Sequence, residues 1–177
     1  MDLLEAFQRQ RACRNFQERP VPEETIAKVL NGARMATSVE NQQPWRFIVV
    51  RSEEMKTKLS NLVTKGAFLR TSPVVVVALG VEGERSVLVG GYTLSFLLDV
   101  AASIQNFILA ATAEGLGTAW LSEFHEEKVS KLFGLPEGVK VVGILPLGFP
   151  VPDPPGTPVP NGRKSLSEVM AFERFTW

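Results

Sequence analysis

A polar stretch in the first third of the chain carries side chains suited to binding an organic ligand. Ser38, Asn41 and Gln43 lie within six residues, directly before the step Pro44-Trp45. Amide groups both donate and accept hydrogen bonds, and an indole offers a broad aromatic face. Together these groups suit recognition of the edge of a heteroaromatic ring. Taken alone, a capped loop beside a buried tryptophan is the simpler interpretation, so the function depends on what accompanies the stretch.

An arginine cluster near the N-terminus is the second candidate for chemistry. Arg9, Arg11, Arg14 and Arg19 occur within eleven residues, with no lysine among them. Guanidinium groups bind planar or bidentate anions better than ammonium groups do. We expect Arg9 and Arg19 to lie at solvated surface positions. We expect Arg11 and Arg14 to form part of an anion site.

The composition excludes several classes of protein. Lys+Arg and Asp+Glu number 19 each, so the charge balance does not indicate a nucleic-acid partner. One cysteine excludes an internal disulfide framework, and one histidine leaves little for a zinc site or a histidine-dependent triad. The first residues lack the pattern of a signal peptide. We therefore expect a cytoplasmic protein with no metal and no nucleic-acid or membrane partner.

The elements that must position these groups follow from hydrophobic periodicity and capping residues. A core of alternating helices and strands is expected, and the chain is long enough to form one domain. The strand from Phe47 is expected to be fully buried, because both of its faces are apolar. Helices are predicted over 2–10, 22–36, 53–63 and 126–133, and strands over 47–50, 73–80, 118–121 and 139–147.

The longest apolar stretch, residues 92–114, could form either a membrane span or a core helix. Asp99 lies inside it, and Ser103, Gln105 and Asn106 add polar groups that a lipid-facing helix avoids. A core helix packed on all sides, partly against a second subunit, is therefore expected. Gly115-x-Gly117 follows this helix, whereas a dinucleotide-binding loop follows a strand, so Gly115 is assigned to helix termination.

The chain after residue 147 has an unusual composition. Residues 146–160 contain seven of the 12 prolines, which makes a stiff segment without a core of its own. Ser165 and Glu168 form a capping-box pattern that predicts a helix. The aromatic residues Phe172, Phe175 and Trp177 follow, and they are costly to expose to water. We expect a C-terminal arm, residues 148–177, that packs on a partner subunit.

Four separated segments, taken in order, resemble the FMN-dependent nitroreductase family. The N-terminal segment departs from the family pattern twice, because Gln10 replaces an arginine and Ala12 replaces a serine. The resemblance spans almost the whole chain and lies in residues 10–16, 38–45, 99–106 and 113–120, which include Ser38-x-x-Asn41-x-Gln43-Pro44-Trp45 and Gly115-Leu116-Gly117.

This resemblance implies an α+β fold with a mostly antiparallel central sheet, flanking helices, a long core helix and an extended C-terminal arm, in one domain over residues 1–177. It implies a homodimer with FMN at the subunit interface, reduced by NAD(P)H and reoxidised by a small acceptor such as a nitroaromatic or quinone in a ping-pong mechanism. The chemistry then takes place at flavin N5, without a catalytic side chain. The implied cofactor-binding residues are Arg11, Ala12, Arg14, Ser38, Asn41, Gln43, Leu121, Ser122, Glu123 and Arg163.

Other functions are compatible with the same residues. A different reaction on the same fold, such as reductive dehalogenation, would use the same cofactor. A non-catalytic flavin-binding or sensor protein fits the departures at Gln10 and Ala12. An anion or RNA binder that uses the arginine cluster is disfavoured by the zero net charge.

Overall fold

A computed structural model of the chain describes residues 1–83, 86–152 and 162–175. A four-stranded antiparallel sheet in the order β1-β2-β6-β5 forms its centre, as predicted. A two-stranded hairpin, β3–β4, precedes the longest helix. The elements are α1 Leu3–Arg9, α2 Glu23–Ala33, β1 Trp45–Val50, α3 Glu53–Ser60, β2 Val74–Val81, β3 Leu88–Val89, β4 Thr93–Leu94, α4 Ser95–Ala113, β5 Gly117–Thr118, α5 Glu126–Phe133 and β6 Val139–Gly148.

Helices cover both faces of the sheet, because successive side chains of β2 point to opposite sides. Val76 and its neighbours on one face pack with α2 and α4, through residues such as Val29 and Phe107. Val75 and Val77 on the other face pack with α3, α5 and the turn Gly66–Arg70. Every residue of β2 except Val81 is buried, which explains its continuous run of apolar residues.

The predicted boundaries depend on capping groups that the structure confirms. The Asp2 side chain accepts a hydrogen bond from the backbone N–H of Glu5 at 2.8 Å and begins α1. Ser52 accepts from Met55 at the start of α3, at 3.4 Å. Gly134 ends α5 with a φ of 62°, a conformation that glycine adopts without steric cost.

Helix α4 is a core helix in this structure. Its length and composition would allow it to cross a membrane, but it packs on the sheet and against α1 and α2. Phe96, Val100, Ile104 and Phe107 are among its buried residues. Helix α1 packs against α4, and the apolar side chains of Leu4 and Phe7 on α1 are exposed.

Two expectations about local structure are wrong. Strand β1 is an edge strand, so Phe47 and Ile48 are only partly buried and Val49 is 38% exposed. The capping box of the arm is present, since the N–H and hydroxyl of Ser165 donate to the Glu168 carboxylate and hold its pKa below the ordinary value. However, this box begins only a single 3₁₀ turn, Leu166–Glu168, where a helix was expected.

Candidate functional site

Residues 38–43 form a compact loop, here called the amide loop, directly before β1. The backbone N–H of Gln43 donates to the Ser38 hydroxyl at 3.0 Å and closes the loop on itself. The Gln43 side-chain amide donates to the backbone and side-chain oxygens of Asn41, at 3.3 and 3.2 Å. The loop is tied to the core by Val39, whose N–H donates to the Asp99 carboxylate at 3.1 Å.

The backbone of this loop is strained. Glu40, Asn41 and Gln43 have φ values of 49°, 55° and 51°, in the left-handed region that residues with a Cβ rarely occupy. Each such residue costs on the order of 1 kcal/mol or more. Strain of this kind persists only where surrounding contacts impose it, and it concentrates at functional sites.

Two cavities share Arg14 as a lining residue, and together they are here called the trough. No residue of the amide loop lines either cavity. Their volumes, about 780 and 460 Å³, are in the usual range for ligand sites. The first, or arginine cavity, is lined among others by Arg9, Arg11, Ala12, Cys13, Gly115, Gly117 and Pro150. The second, or ring cavity, is lined by Arg14, Thr64, Lys65, Phe68, Trp120, Leu121, Ser122 and Glu123.

The floor of the ring cavity is an extended segment fixed on both sides. Leu121 exchanges backbone hydrogen bonds with Ile144 of β6, at 3.0 and 3.1 Å. Glu123 accepts one from the N–H of Thr64 at 2.8 Å. No described residue accepts a hydrogen bond from the N–H of Ser122 or Glu123. These two groups are therefore available to a ligand.

The tryptophan of the ring cavity is held by a close approach to a glycine. The indole N–H of Trp120 donates to the carbonyl of Val142 at 3.2 Å. A Cβ at Gly143 would lie 2.6 Å from that indole nitrogen, so any other residue there would displace the ring. Because Trp120 stays partly exposed at 39%, its aromatic edge remains accessible from the cavity.

The trough is electropositive. In the described part of the chain, Arg14 and Lys65 have neither an ion pair nor a hydrogen-bonded partner, and Glu123 is the one acid that lines either cavity. Arg9 is instead paired with Glu5 at 2.8 Å. Arg19 stacks on the Phe149 ring, 3.8 Å from its centroid, and remains exposed to solvent, as expected for a surface position.

A buried hydroxyl without a partner among the described residues belongs to Thr118, which pairs with the N-terminal segment at Ala12. Ala12 pairs with Thr118 in a parallel bridge, and the N–H of Cys13 donates to the Thr118 carbonyl at 2.8 Å. The Thr118 hydroxyl is buried and makes no hydrogen bond within the described residues. A buried hydroxyl without a partner costs free energy, so this strand contact carries a local cost.

The structure groups the candidate residues in two places. The first group, Arg11, Ala12, Arg14, Leu121, Ser122 and Glu123, lines the trough. The second group, Ser38, Asn41 and Gln43, precedes β1 at the other edge of the sheet. The segment at Leu121 pairs with β6, so three strand spacings, about 14 Å, separate the groups across the sheet. Arg163 lies exposed on the arm and lines neither cavity.

Sequence reasoning missed Lys65, which lines the ring cavity between Thr64 and Phe68. Residues 63 and 64 pair with 124 and 123, and this pairing brings a turn from after α3 to the cavity. Lys65 has a φ of 56° and precedes Gly66. A Lys-Gly turn was the only sequence signal, and it is a weak one.

Comparison with known proteins identifies relatives over most of the chain. A family model described as the nitroreductase family matches residues 8–77 and 63–149. A protein of Methanothermobacter thermautotrophicus, assigned by name to the NADH dehydrogenase/NAD(P)H nitroreductases, is 35% identical over 158 residues, which are 87% of this chain and 80% of that protein. Iodotyrosine deiodinase 1 of Rattus norvegicus is 23% identical over 205 residues, 96% of this chain and 68% of that protein.

Solved structures show the same architecture. The crystal structure of a nitroreductase family protein from Clostridium difficile 630 superposes with a TM-score of 0.84 at 28% identity. The match covers 99% of this chain and all of that one. The predicted α+β fold with an antiparallel sheet and a long central helix is therefore confirmed.

Proposed function

Because the chain belongs to the nitroreductase family and is an NAD(P)H-dependent oxidoreductase, we propose that it binds FMN in the trough and reduces a small acceptor. Bound FMN would take hydride from NAD(P)H and pass it to an acceptor such as a nitroaromatic or quinone, in alternating half-reactions. The observation that carries this proposal is the shape of the site. Arg14 joins an arginine-lined cavity to a cavity with an aromatic wall and free backbone donors.

The residues of the trough fit each part of such a cofactor. Arg11 and Arg14 would bind the phosphate, and Arg163 from an arm would add a third charge. The N–H groups of Ser122 and Glu123, which no described residue uses, would donate to polar atoms of the ring system. Trp120 and Phe68 would exclude water from the ring. A phosphate would form charge-assisted hydrogen bonds with guanidinium groups, and ring oxygens or nitrogens would accept from the backbone donors, so a ligand that carries both is stabilised.

We further infer that the working unit is a homodimer in which each flavin contacts two copies. The amide loop and the trough lie at opposite edges of one sheet, and no residue of the loop lines either cavity, so we assign each flavin a trough from one copy and an amide loop from the other. The surface of α1 exposes Leu3, Leu4 and Phe7 beside α4. Burial of one such side chain contributes roughly 1.5–3 kcal/mol, so a second copy is a favourable cover for this face.

The arm supports the same inference. All of residues 162–175 except Ala171 are exposed. The open edge of β1 is bordered by a groove of about 370 Å³, lined by Ile26, Leu30 and Val49. An extended segment with exposed aromatic residues can add to an open sheet edge. The arm of the partner would supply such a segment.

The purified protein is expected to be yellow and to carry FMN. Absorbance and mass analysis of the released cofactor would identify the flavin. Anaerobic titration with NADH and with NADPH should bleach the visible bands, and later addition of a quinone should restore them. A colourless protein that takes up no added FMN would refute the binding proposal, and a yellow protein that neither nucleotide bleaches would refute the catalytic one.

Replacement of Lys65 by methionine is expected to lower the midpoint potential of bound FMN. Lys65 places a positive charge at the ring cavity, and this charge favours the more negative, reduced cofactor. An interaction of about 1–3 kcal/mol at an effective dielectric constant near 20 corresponds to about 20–60 mV for a two-electron couple. Redox titration of the bound flavin measures the shift. Lys128→Met on α5, which lines neither cavity, is the control, and equal potentials in the two variants would contradict the role of Lys65.

A second candidate reaction is reductive dehalogenation, favoured by the similarity to iodotyrosine deiodinase 1. It would use the same trough and cofactor with a halogenated aromatic acceptor. Halide release from halophenols by the reduced protein separates the two reactions. Turnover of nitroaromatics or quinones without halide release would exclude the second candidate.

A further inference from the structure

We propose that Asp99 is a positioning residue whose carboxylate fixes the amide loop for use by the partner subunit's flavin. This inference rests on the proposed function, because it needs a flavin site shared between two copies. It assigns a task to a buried acidic side chain that touches neither cavity. It also predicts that the effect of a change at Asp99 is felt in the other subunit.

Asp99 is buried without a counterion. It is 7% exposed in the second turn of α4, and no described cation pairs with it. The one hydrogen bond it makes among described residues is from the backbone N–H of Val39, at 3.1 Å. A buried carboxylate is costly unless its hydrogen bonds repay the desolvation. The bond to Val39 is therefore the role that the structure gives to this side chain.

That bond ties the strained loop to a rigid element. The described hydrogen bonds of Ser38, Asn41 and Gln43 join these residues to one another or to Arg46, so they shape the loop, whereas the bond from Val39 to Asp99 connects it to α4. With three residues in the left-handed region, the loop gains free energy by relaxing once an anchor is removed. Asp99 opposes this relaxation from the core.

The same helix also reaches the trough. Thr112, near the C-terminal end of α4, lines the arginine cavity, whereas Asp99 lies near the N-terminal end. Thirteen residues separate them, so about 20 Å of helix fixes the distance between the two halves of the site. A flavin held by two copies needs a constant distance between the amide loop and the trough of each copy. Asp99 keeps that distance constant because it anchors the loop to α4.

Subunit complementation separates this role from a general structural one. Each proposed site takes its trough from one copy and its amide loop from the other. A mixed dimer of one Asp99→Ala subunit and one Arg14→Ala subunit then contains one undamaged site and one doubly damaged site. If Asp99 instead supports its own trough, both sites of the mixed dimer are damaged.

The experiment uses two affinity tags to purify the mixed dimer from co-expressed full-length chains. We expect one FMN per dimer, bound with the parent affinity and the parent visible spectrum. Each homodimeric variant should bind FMN about five- to a hundredfold more weakly, as for loss of one charge-assisted hydrogen bond. A mixed dimer that binds no better than its parent variants would overturn the proposal. An Asp99→Ala homodimer loaded like the parent would overturn it as well.

Two further variants keep the test decisive if Asp99→Ala does not fold. Asp99→Asn retains an oxygen that can accept from Val39, and it should preserve more of the affinity. Ser38→Ala loosens the same loop from its other end, and it can replace Asp99→Ala in the mixed dimer with the same expected result. A parent protein that is monomeric or free of flavin would refute the proposed function instead. A loaded parent dimer without complementation would refute the role of Asp99 alone.

Discussion

Truncation of the chain after Phe149 is expected to release both the partner subunit and the flavin. The residues removed include Phe172 and Phe175, each 80% exposed in the single copy. Burial of one such ring stabilises an interface by roughly 1.5–3 kcal/mol, enough to offset much of the cost of ordering an arm. Light scattering measures the mass and absorbance measures the flavin, and both should fall together.

A second truncation, after Pro152, separates the arm from its attachment. The arm is attached to the N-terminal segment by two backbone hydrogen bonds. The N–H of Gln17 donates to the Phe149 carbonyl at 2.9 Å, and the N–H of Val151 donates to the Asn15 carbonyl at 3.1 Å. Pro150 to Pro152 also line the arginine cavity, so the longer truncation damages the trough directly. The shorter one leaves the cavity wall intact. If it yields a dimer with full flavin content, the arm is dispensable and our inference about it is wrong.

Replacement of Arg14 by alanine is expected to weaken FMN binding by about five- to a hundredfold. Arg14 lines both cavities, and in the described part of the chain it has no other partner. Loss of one charged hydrogen-bonding partner costs about 1–3 kcal/mol, which gives this range. Fluorescence titration of the flavin-free protein with FMN measures the change. Arg163→Ala should act in the same direction through the arm.

The controls for Arg14 distinguish its geometry from its charge. Arg34→Ala, at the end of α2, removes an equal charge from a side chain that bonds Asn31 and lines neither cavity, and it should bind FMN like the parent. Arg14→Lys keeps the charge without the planar fork and should be intermediate. Parent-like affinity in both Arg14→Ala and Arg163→Ala would show that the phosphate lies elsewhere.

Much of the fold could be predicted from the sequence because local signals agree with tertiary packing. The run of valines in β2 is buried on both faces. Asp2 and Ser52 begin helices and Gly134 ends one, as expected. The errors arise where burial depends on distant parts of the chain. Residues 47–50 of β1 are all apolar, as in a central strand, and only the order of the strands shows that β1 is at an edge.

The site shows the same limit. The sequence predicts which segments carry binding groups, but it could not show that the amide loop and the trough lie at opposite edges of the sheet. Lys65 was missed because its place in the ring cavity depends on pairing between residues nearly sixty positions apart. Asp99 was recognised within a family-like helix, but its bond to Val39 is visible only in the folded chain.

The open edge of β1 has a consequence for the newly made protein. An exposed strand edge can pair with the edge of any other molecule, which leads to aggregation. Strand β1 has no partner along its outer edge among described residues, and its apolar Val49 is partly exposed. Arg46 places an exposed positive charge near the start of this edge, whereas Arg51 beyond its end is paired with Glu23 at 3.6 Å. Like charges repel when two such edges meet, so Arg46 would oppose pairing of solitary subunits until a second copy covers the strand.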